Sequence, residues 1–99
     1  MDIQFKHQSY DRLEIDTSFD GGLPLAAVKA YRKRIALIRS AIDERDFYAM
    51  KSLHYEKLKG NRDHQFSMRL NDQWRLILEF LSEQSGKIVV VVSIEDYHK

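Results

Sequence analysis

Gln65-Phe66-Ser67-Met68-Arg69-Leu70-Asn71-Asp72-Gln73-Trp74-Arg75-Leu76-Ile77-Leu78-Glu79-Phe80-Leu81 reads as two strands joined by a turn. Residues 65–70 alternate, with Phe66, Met68 and Leu70 toward one face and Gln65, Ser67 and Arg69 toward the other. Asn71-Asp72 has the chemistry of a turn, because short polar side chains bond back to the backbone. Residues 74–81 form the second strand. A further turn at 82–86 leads to a third strand over 87–94. Its Ile88-Val89-Val90-Val91-Val92 run predicts a central strand covered on both faces.

Working back from this hairpin, residues 52–64 contain Gly60-Asn61 and no period, and read as loop. Residues 46–51 predict a short helix that presents Phe47 and Met50 to the core. Before it lies the clearest helix, opening at Pro24, which suits a first helical turn because its missing N–H has no partner there. Leu25, Val28, Tyr31, Ile35, Ile38 and Ile42 fall three and four apart and predict one apolar stripe. Lys29, Arg32, Lys33 and Arg39 lie off it. Residues 8–22 are polar, with one helical turn expected over 9–14, and residues 2–7 alternate as a short strand. The order is β-α-α-β-β-β. It predicts an α+β fold, a small and mainly antiparallel sheet with two helices packed on one side.

The chain has 99 residues, 43% hydrophobic and 31% charged, which fits one folded domain over 1–99 with a thin stability margin. It has no cysteine, which excludes a disulfide framework, Cys-ligated zinc and thiol catalysis. The start, Met1-Asp2-Ile3-Gln4-Phe5-Lys6, lacks the apolar run of a signal peptide, and no run approaches the length of a membrane helix. A cytoplasmic protein without a membrane partner is expected. Net charge is +1, yet residues 51–75 carry six basic side chains against three acidic ones.

That basic segment holds the candidate chemistry. A hairpin turning at Asn71-Asp72 sets Arg69 and Arg75 near one another on adjacent strands. Like charges held together favour a bridging anion, and guanidinium forks match phosphate oxygens. Solvated surface arginines are the plainer reading of the same pair. Lys57 and Lys59 flank Leu58, ahead of Gly60-Asn61-Arg62, and can point along the same face. His98, close behind a core strand, can act as an acid or base near neutral pH. The histidines His7, His54, His64 and His98 form no metal-ligand spacing, and no metal or cofactor is expected. Together these groups suit RNA cleavage by a 2′-hydroxyl attacking its own 3′-phosphate. A base takes the hydroxyl proton, cations stabilise the phosphoryl oxygens, and an acid protonates the leaving oxygen.

The stretches Tyr55-Glu56-Lys57-Leu58-Lys59-Gly60-Asn61-Arg62, Ser67-Met68-Arg69-Leu70-Asn71-Asp72-Gln73-Trp74-Arg75-Leu76 and Asp96-Tyr97-His98 resemble the HigB-type plasmid maintenance killer toxins of the RelE/ParE superfamily. The order of elements agrees with that fold, and the resemblance covers most of the chain. It implies a toxin that cleaves messenger RNA in the ribosomal A site. Its implied partner is a helix-turn-helix (HigA-like) antitoxin, which with the toxin also represses their operon, so operator DNA is met only through that complex. By motif, Lys59 stands before the glycine, Arg75 follows Trp74, and Asp96, Tyr97 and His98 match the terminal triplet. Lys57, Arg62 and Arg69 are the implied substrate contacts. Tyr97 is expected to pack on a base or orient His98, Asp96 to fix neighbouring side chains, and Trp74 to belong to the core.

One position departs. Some members have L-H-x-L-x-G, whereas an ungapped match here puts Glu56 two residues before Leu58, with His54 two residues earlier still. The general base is therefore open between Glu56, His54 and His98. A rival implication, from the ParE-type members, is a non-enzymatic inhibitor of DNA gyrase; a third is a degenerate toxin that only binds its antitoxin. The terminal triplet with Lys59 and Arg75 favours the nuclease, because a pure gyrase binder does not need them.

Overall fold

The computed structural model describes residues 1–84 and 86–97. Strand β1 (Asp2–Phe5) leads into helices α1 (Gln8–Ile15), α2 (Leu25–Ser40) and α3 (Arg45–Ala49). Four strands follow, β2 (Glu56–Lys57), β3 (Phe66–Arg69), β4 (Trp74–Glu83) and β5 (Gly86–Asp96). They form one sheet in the order β1-β5-β4-β3-β2. Strand β1 runs parallel to β5, and the other neighbours are antiparallel. This is the expected α+β class, with the apolar β5 inside the sheet.

The hairpin that decides the fold has the register its alternation demands. Met68 faces Leu76 and Arg69 faces Arg75. The turn is held by Asn71, whose Oδ1 accepts from the backbone N–H groups of Gln73 and Trp74, each at 2.9 Å. Met68, Leu76, Leu78, Val89 and Val91 are buried on one sheet face against Val28, Tyr31, Ile35 and Ile38 of α2. Trp74 is half-buried and packs on this core.

Phe47 is buried as expected, but Met50 is 43% exposed and not a core residue, and three further sequence expectations shift. The α2 stripe is shorter than its periodicity, since Leu25 is 65% and Ile42 86% exposed. The helix stops at Ser40, with Ala41 extended at ψ 144°, so Ile42 no longer shares its face. Pro24 caps the helix from outside, and Leu25 is its first residue. The segment read as loop contains β2, too short for any period to reveal, and two 3-10 turns, Lys51–Leu53 and Gly60–Arg62.

The third shift is α1, which has two turns where one was expected and buries only Leu13. Its stability comes from α2. Arg32 donates to the carbonyls of Leu13 (3.0 Å), Asp16 (3.1 Å) and Phe19 (3.3 Å) at the end of α1 and in the following turn; the Asp16 carbonyl also accepts from the Phe19 N–H at 3.1 Å. Arg39 adds a two-pronged pair with Glu14, both contacts at 2.7 Å. Two of the four off-stripe cations of α2 therefore serve the fold. Arg32→Ala should cost about 1–3 kcal/mol in urea unfolding, because a charged donor leaves several carbonyls at once. Lys29→Ala, at an exposed position, should change the midpoint little. Equal midpoints for the two variants would show that Arg32 contributes nothing there.

Candidate functional site

Side chains on the sheet face away from the helices follow from register. Glu56 lies beside Ser67, Ser67 beside Ile77, Arg69 beside Arg75 and Arg75 beside Glu95. Period two puts all of them on one side. That side holds two adjoining hollows that share Arg75 and Tyr97. One, of about 180 Å³, is completed by His54, Arg69, Asn71 and Asp72. The other, of about 220 Å³, has Leu58 and Ile77 as apolar wall, with Glu56, Arg62, Ser67, Glu95 and Asp96 around it.

Arg75 is the junction, and it is not the solvated surface arginine of the plainer reading. It is only 8% exposed. Its Nε donates to Ser67 Oγ, and its Nη2 donates to the His54 carbonyl at 2.7 Å. Glu56 Oε1 lies 4.0 Å from Nη2, and the guanidinium carbon sits 5.1 Å from the centre of the Tyr97 ring. Burial of a cation demands such partners. Ser67 lies on the neighbouring strand, but His54, Glu56 and Tyr97 come from outside the hairpin, which is why alternation alone places Arg75 in solvent.

Arg69, directly across the strand pair, has its own neutralising partner in Asp72, with which it forms a short ion pair. Its backbone carbonyl accepts from Arg34 Nε at 3.0 Å, so α2 braces the end of β3. Burial, and secondarily Arg69, hold the Arg34 guanidinium below its ordinary pKa. The like-charged pair predicted from the hairpin is thus present, each member balanced by a nearby acceptor.

His54 ends the 3-10 turn Lys51–Leu53 with φ 45° and ψ 45°. It is the non-glycine residue at positive φ among the described residues, a conformation that costs roughly 1 kcal/mol or more outside glycine. Its carbonyl is held by Arg75, and the residue borders the smaller hollow.

The loop between β2 and β3 folds across the same face. Arg62 grips Glu95 through Nη1 (3.1 Å) and Nη2 (2.7 Å) and bonds Gln65 through Nε, while Gln65 Nε2 donates to Glu79. The Arg62 hydrogen bonds hold the Glu95 carboxyl below its ordinary pKa. Arg62 therefore lines the larger hollow with its charge already engaged. Lys57 pairs in register with Phe66, on the helix-side parity, and Lys59 is the exposed residue before the turn Gly60–Arg62. Neither lysine lines a hollow.

Asp96 borders the larger hollow and accepts from Gln73 Nε2 at 3.0 Å. Tyr97, 61% exposed, is fixed by its backbone N–H donating to the Gln73 carbonyl. His98 lies outside the described residues. Among the described residues no three His, Cys, Asp or Glu side chains converge as a metal ligand set. Nor is any described helix long and apolar enough to cross a membrane. The structure thus brings His54, Glu56, Arg62, Arg69, Arg75, Asp96 and Tyr97 together and leaves Lys57 and Lys59 outside. It adds Ser67 and Asp72, which sequence reasoning did not place at the site. The parity that set Ser67 beside Arg69 was its one visible signal.

Similar folds occur in solved structures. A YoeB/ParE toxin from Agrobacterium tumefaciens superposes with TM-score 0.60 at 19% identity, covering 98% of this chain and 99% of that one. YafQ from E. coli strain BL21(DE3) gives 0.58 at 10%, covering 98% and 93%. A conserved hypothetical protein from Helicobacter pylori gives 0.50 at 12%, covering 100% and 97%. No curated protein matches the sequence. Residues 3–98 match the family model described as the RelE-like toxin HigB of type II toxin–antitoxin systems, and the chain belongs to that family of HigB-like toxins.

Proposed function

We propose that this toxin is a metal-independent endoribonuclease that cuts messenger RNA, in the ribosomal A site, until a helix-turn-helix antitoxin binds it. The observation that carries this reading is the opposed pair Arg69 and Arg75 bordering a hollow that His54 and Tyr97 also line. Two guanidinium groups at one hollow suit a phosphodiester, whose charge is shared by two non-bridging oxygens that a guanidinium fork can bind in pairs. The 2′-hydroxyl attacks the adjacent phosphorus, the P–O5′ bond breaks, and a 2′,3′-cyclic phosphate and a 5′-hydroxyl remain. In this scheme Arg75 and Arg69 stabilise the growing charge on the phosphoryl oxygens. Glu56, His54 or His98 takes the 2′-hydroxyl proton, and His98 is the candidate that returns one to the leaving oxygen. Tyr97 stacks on a base or orients His98, and Asp96 steadies Gln73. Lys57 and Lys59 contact flanking phosphates from outside the hollows, and Arg62 shapes the site through Glu95. On α2, Lys29 and Lys33 remain exposed and offer the antitoxin a cationic docking face.

The test is induction without a partner, followed by labelled amino-acid incorporation and plasmid supercoiling. Translation should stop first with supercoiling intact, and purified toxin should cut ribosome-free or ribosome-bound RNA at the same rate after EDTA, with magnesium restored for ribosomes. Prompt loss of supercoiling with translation running would favour gyrase inhibition. Cleavage of free RNA that dies with EDTA and returns with one divalent metal would refute the metal-free scheme.

A further inference from the structure

Ser67 and Arg75, at 2% and 8% exposure, are the buried polar or charged residues among the described residues, and they are bonded to each other. Their relation across the strands is diagonal, since Arg75 stands opposite Arg69 and Ser67 opposite Ile77. Bonding to Ser67 therefore draws the guanidinium along the strand, away from the like charge it faces. The second bond, to the His54 carbonyl, comes from a loop in left-handed conformation. An arginine stem has several free rotations, but its guanidinium is flat. Two acceptors from two different elements fix both where that plane lies and how it is turned. They use two of its five N–H groups; three remain, with Glu56 Oε1 4.0 Å from Nη2.

We propose that Ser67 is a positioning residue. With the His54 carbonyl it forms a socket that holds Arg75 ready, its remaining N–H groups aimed at an anion. The identity of that anion as an RNA phosphate rests on the function proposed above; the socket itself does not. A small hydroxyl suits the place. Alanine offers no acceptor, and a larger side chain would occupy the path of the arginine stem.

The experiment uses the full chain as wild type, Ser67→Ala, Arg75→Lys and the double variant, with circular dichroism and urea midpoints as controls. In wild type the Arg75 Nε–H should give a slowly exchanging nitrogen-15 resonance, and inorganic phosphate should shift it. Ser67→Ala should lose the slow exchange and bind phosphate more weakly. Its single-turnover RNA cleavage should fall on the order of 10- to 100-fold, as expected for a misplaced catalytic contact. In the Arg75→Lys background the same serine change should cost less than about twofold, because lysine has no Nε–H to seat. Equal losses in both backgrounds would show that Ser67 acts through the strand and not through Arg75. Rapid exchange of the wild-type Nε–H overturns the socket even if Ser67→Ala does not fold. If wild type cuts no RNA, the nuclease reading fails separately. The resonance and the phosphate titration then decide the socket: unchanged exchange and affinity in Ser67→Ala refute it.

Discussion

Arg75→Ala is expected to slow the single-turnover cleavage step by about 100- to 1000-fold, the usual loss when one donor to a developing oxyanion is removed. RNA or ribosome binding should weaken far less, because the interaction grows toward the transition state. Arg75→Lys should recover only part of the rate, since an ammonium is a point charge and cannot fill two acceptors and an anion in one plane. A solvated surface arginine, the plainer reading of the sequence, would leave the fold indifferent to this change. The buried setting of Arg75 revises that expectation. Removing it strips the donor from Ser67 Oγ and from the His54 carbonyl, at a cost of about 1–3 kcal/mol in urea unfolding. Rates must therefore be compared at equal folded fraction. A variant that cuts at the wild-type single-turnover rate once saturated, and fails only in binding, would make Arg75 a positioning contact and overturn its assigned role.

The proton-transfer residue has a different signature. His98→Ala should lower the chemical step by roughly 100- to 10,000-fold and delete one limb of the pH–rate profile near the ordinary histidine range. If His98 is the base, the rate of the wild type climbs with pH through that range and the variant loses the climb. If it is the acid, the lost limb is the alkaline fall. Arg75→Ala should keep both limbs. Should His98→Ala match wild type at every pH, the base is one of the two residues beside Arg75. Glu56→Gln and His54→Ala, measured the same way, then identify the base by which of the two removes the limb.

How much of this was legible beforehand follows from range in sequence. The hairpin, the central β5 and the body of α2 are strongly periodic, so their residues declare their faces. Helix α1 is not, because it buries only Leu13 and is braced by the Arg32 guanidinium on the next helix. The basic residues illustrate the limit best. Arg69 and Arg75 meet because one turn brings them together, and the hairpin reading contains that meeting. The engagement of Arg62 by Glu95 spans 33 residues, and nothing local hints at it. Lys57 was grouped with Lys59 and the arginines on one face. Two residues of pairing with β3 set its parity with Phe66 instead, a fact no pattern of two can carry. The family, in contrast, was readable at once, since its motif needs only order and spacing and no knowledge of contacts.

The parallel pairing of β1 with β5 has a consequence for how the molecule comes into being. Asp2 finds its partner at Ile88, so nearly the whole chain must be closed into a loop before that ladder forms. Contacts this distant give a high contact order and a slow final step compared with the β3–β4–β5 meander, whose strands are neighbours in sequence. During synthesis at about 5–20 residues per second, β1 waits several seconds for a strand that has not yet been made. The late strand also carries Glu95 and Asp96, with Tyr97 just beyond, walls of the hollows around Arg75. A growing polypeptide therefore has neither a closed sheet nor an assembled site, and the toxin acquires its geometry only when β5 arrives.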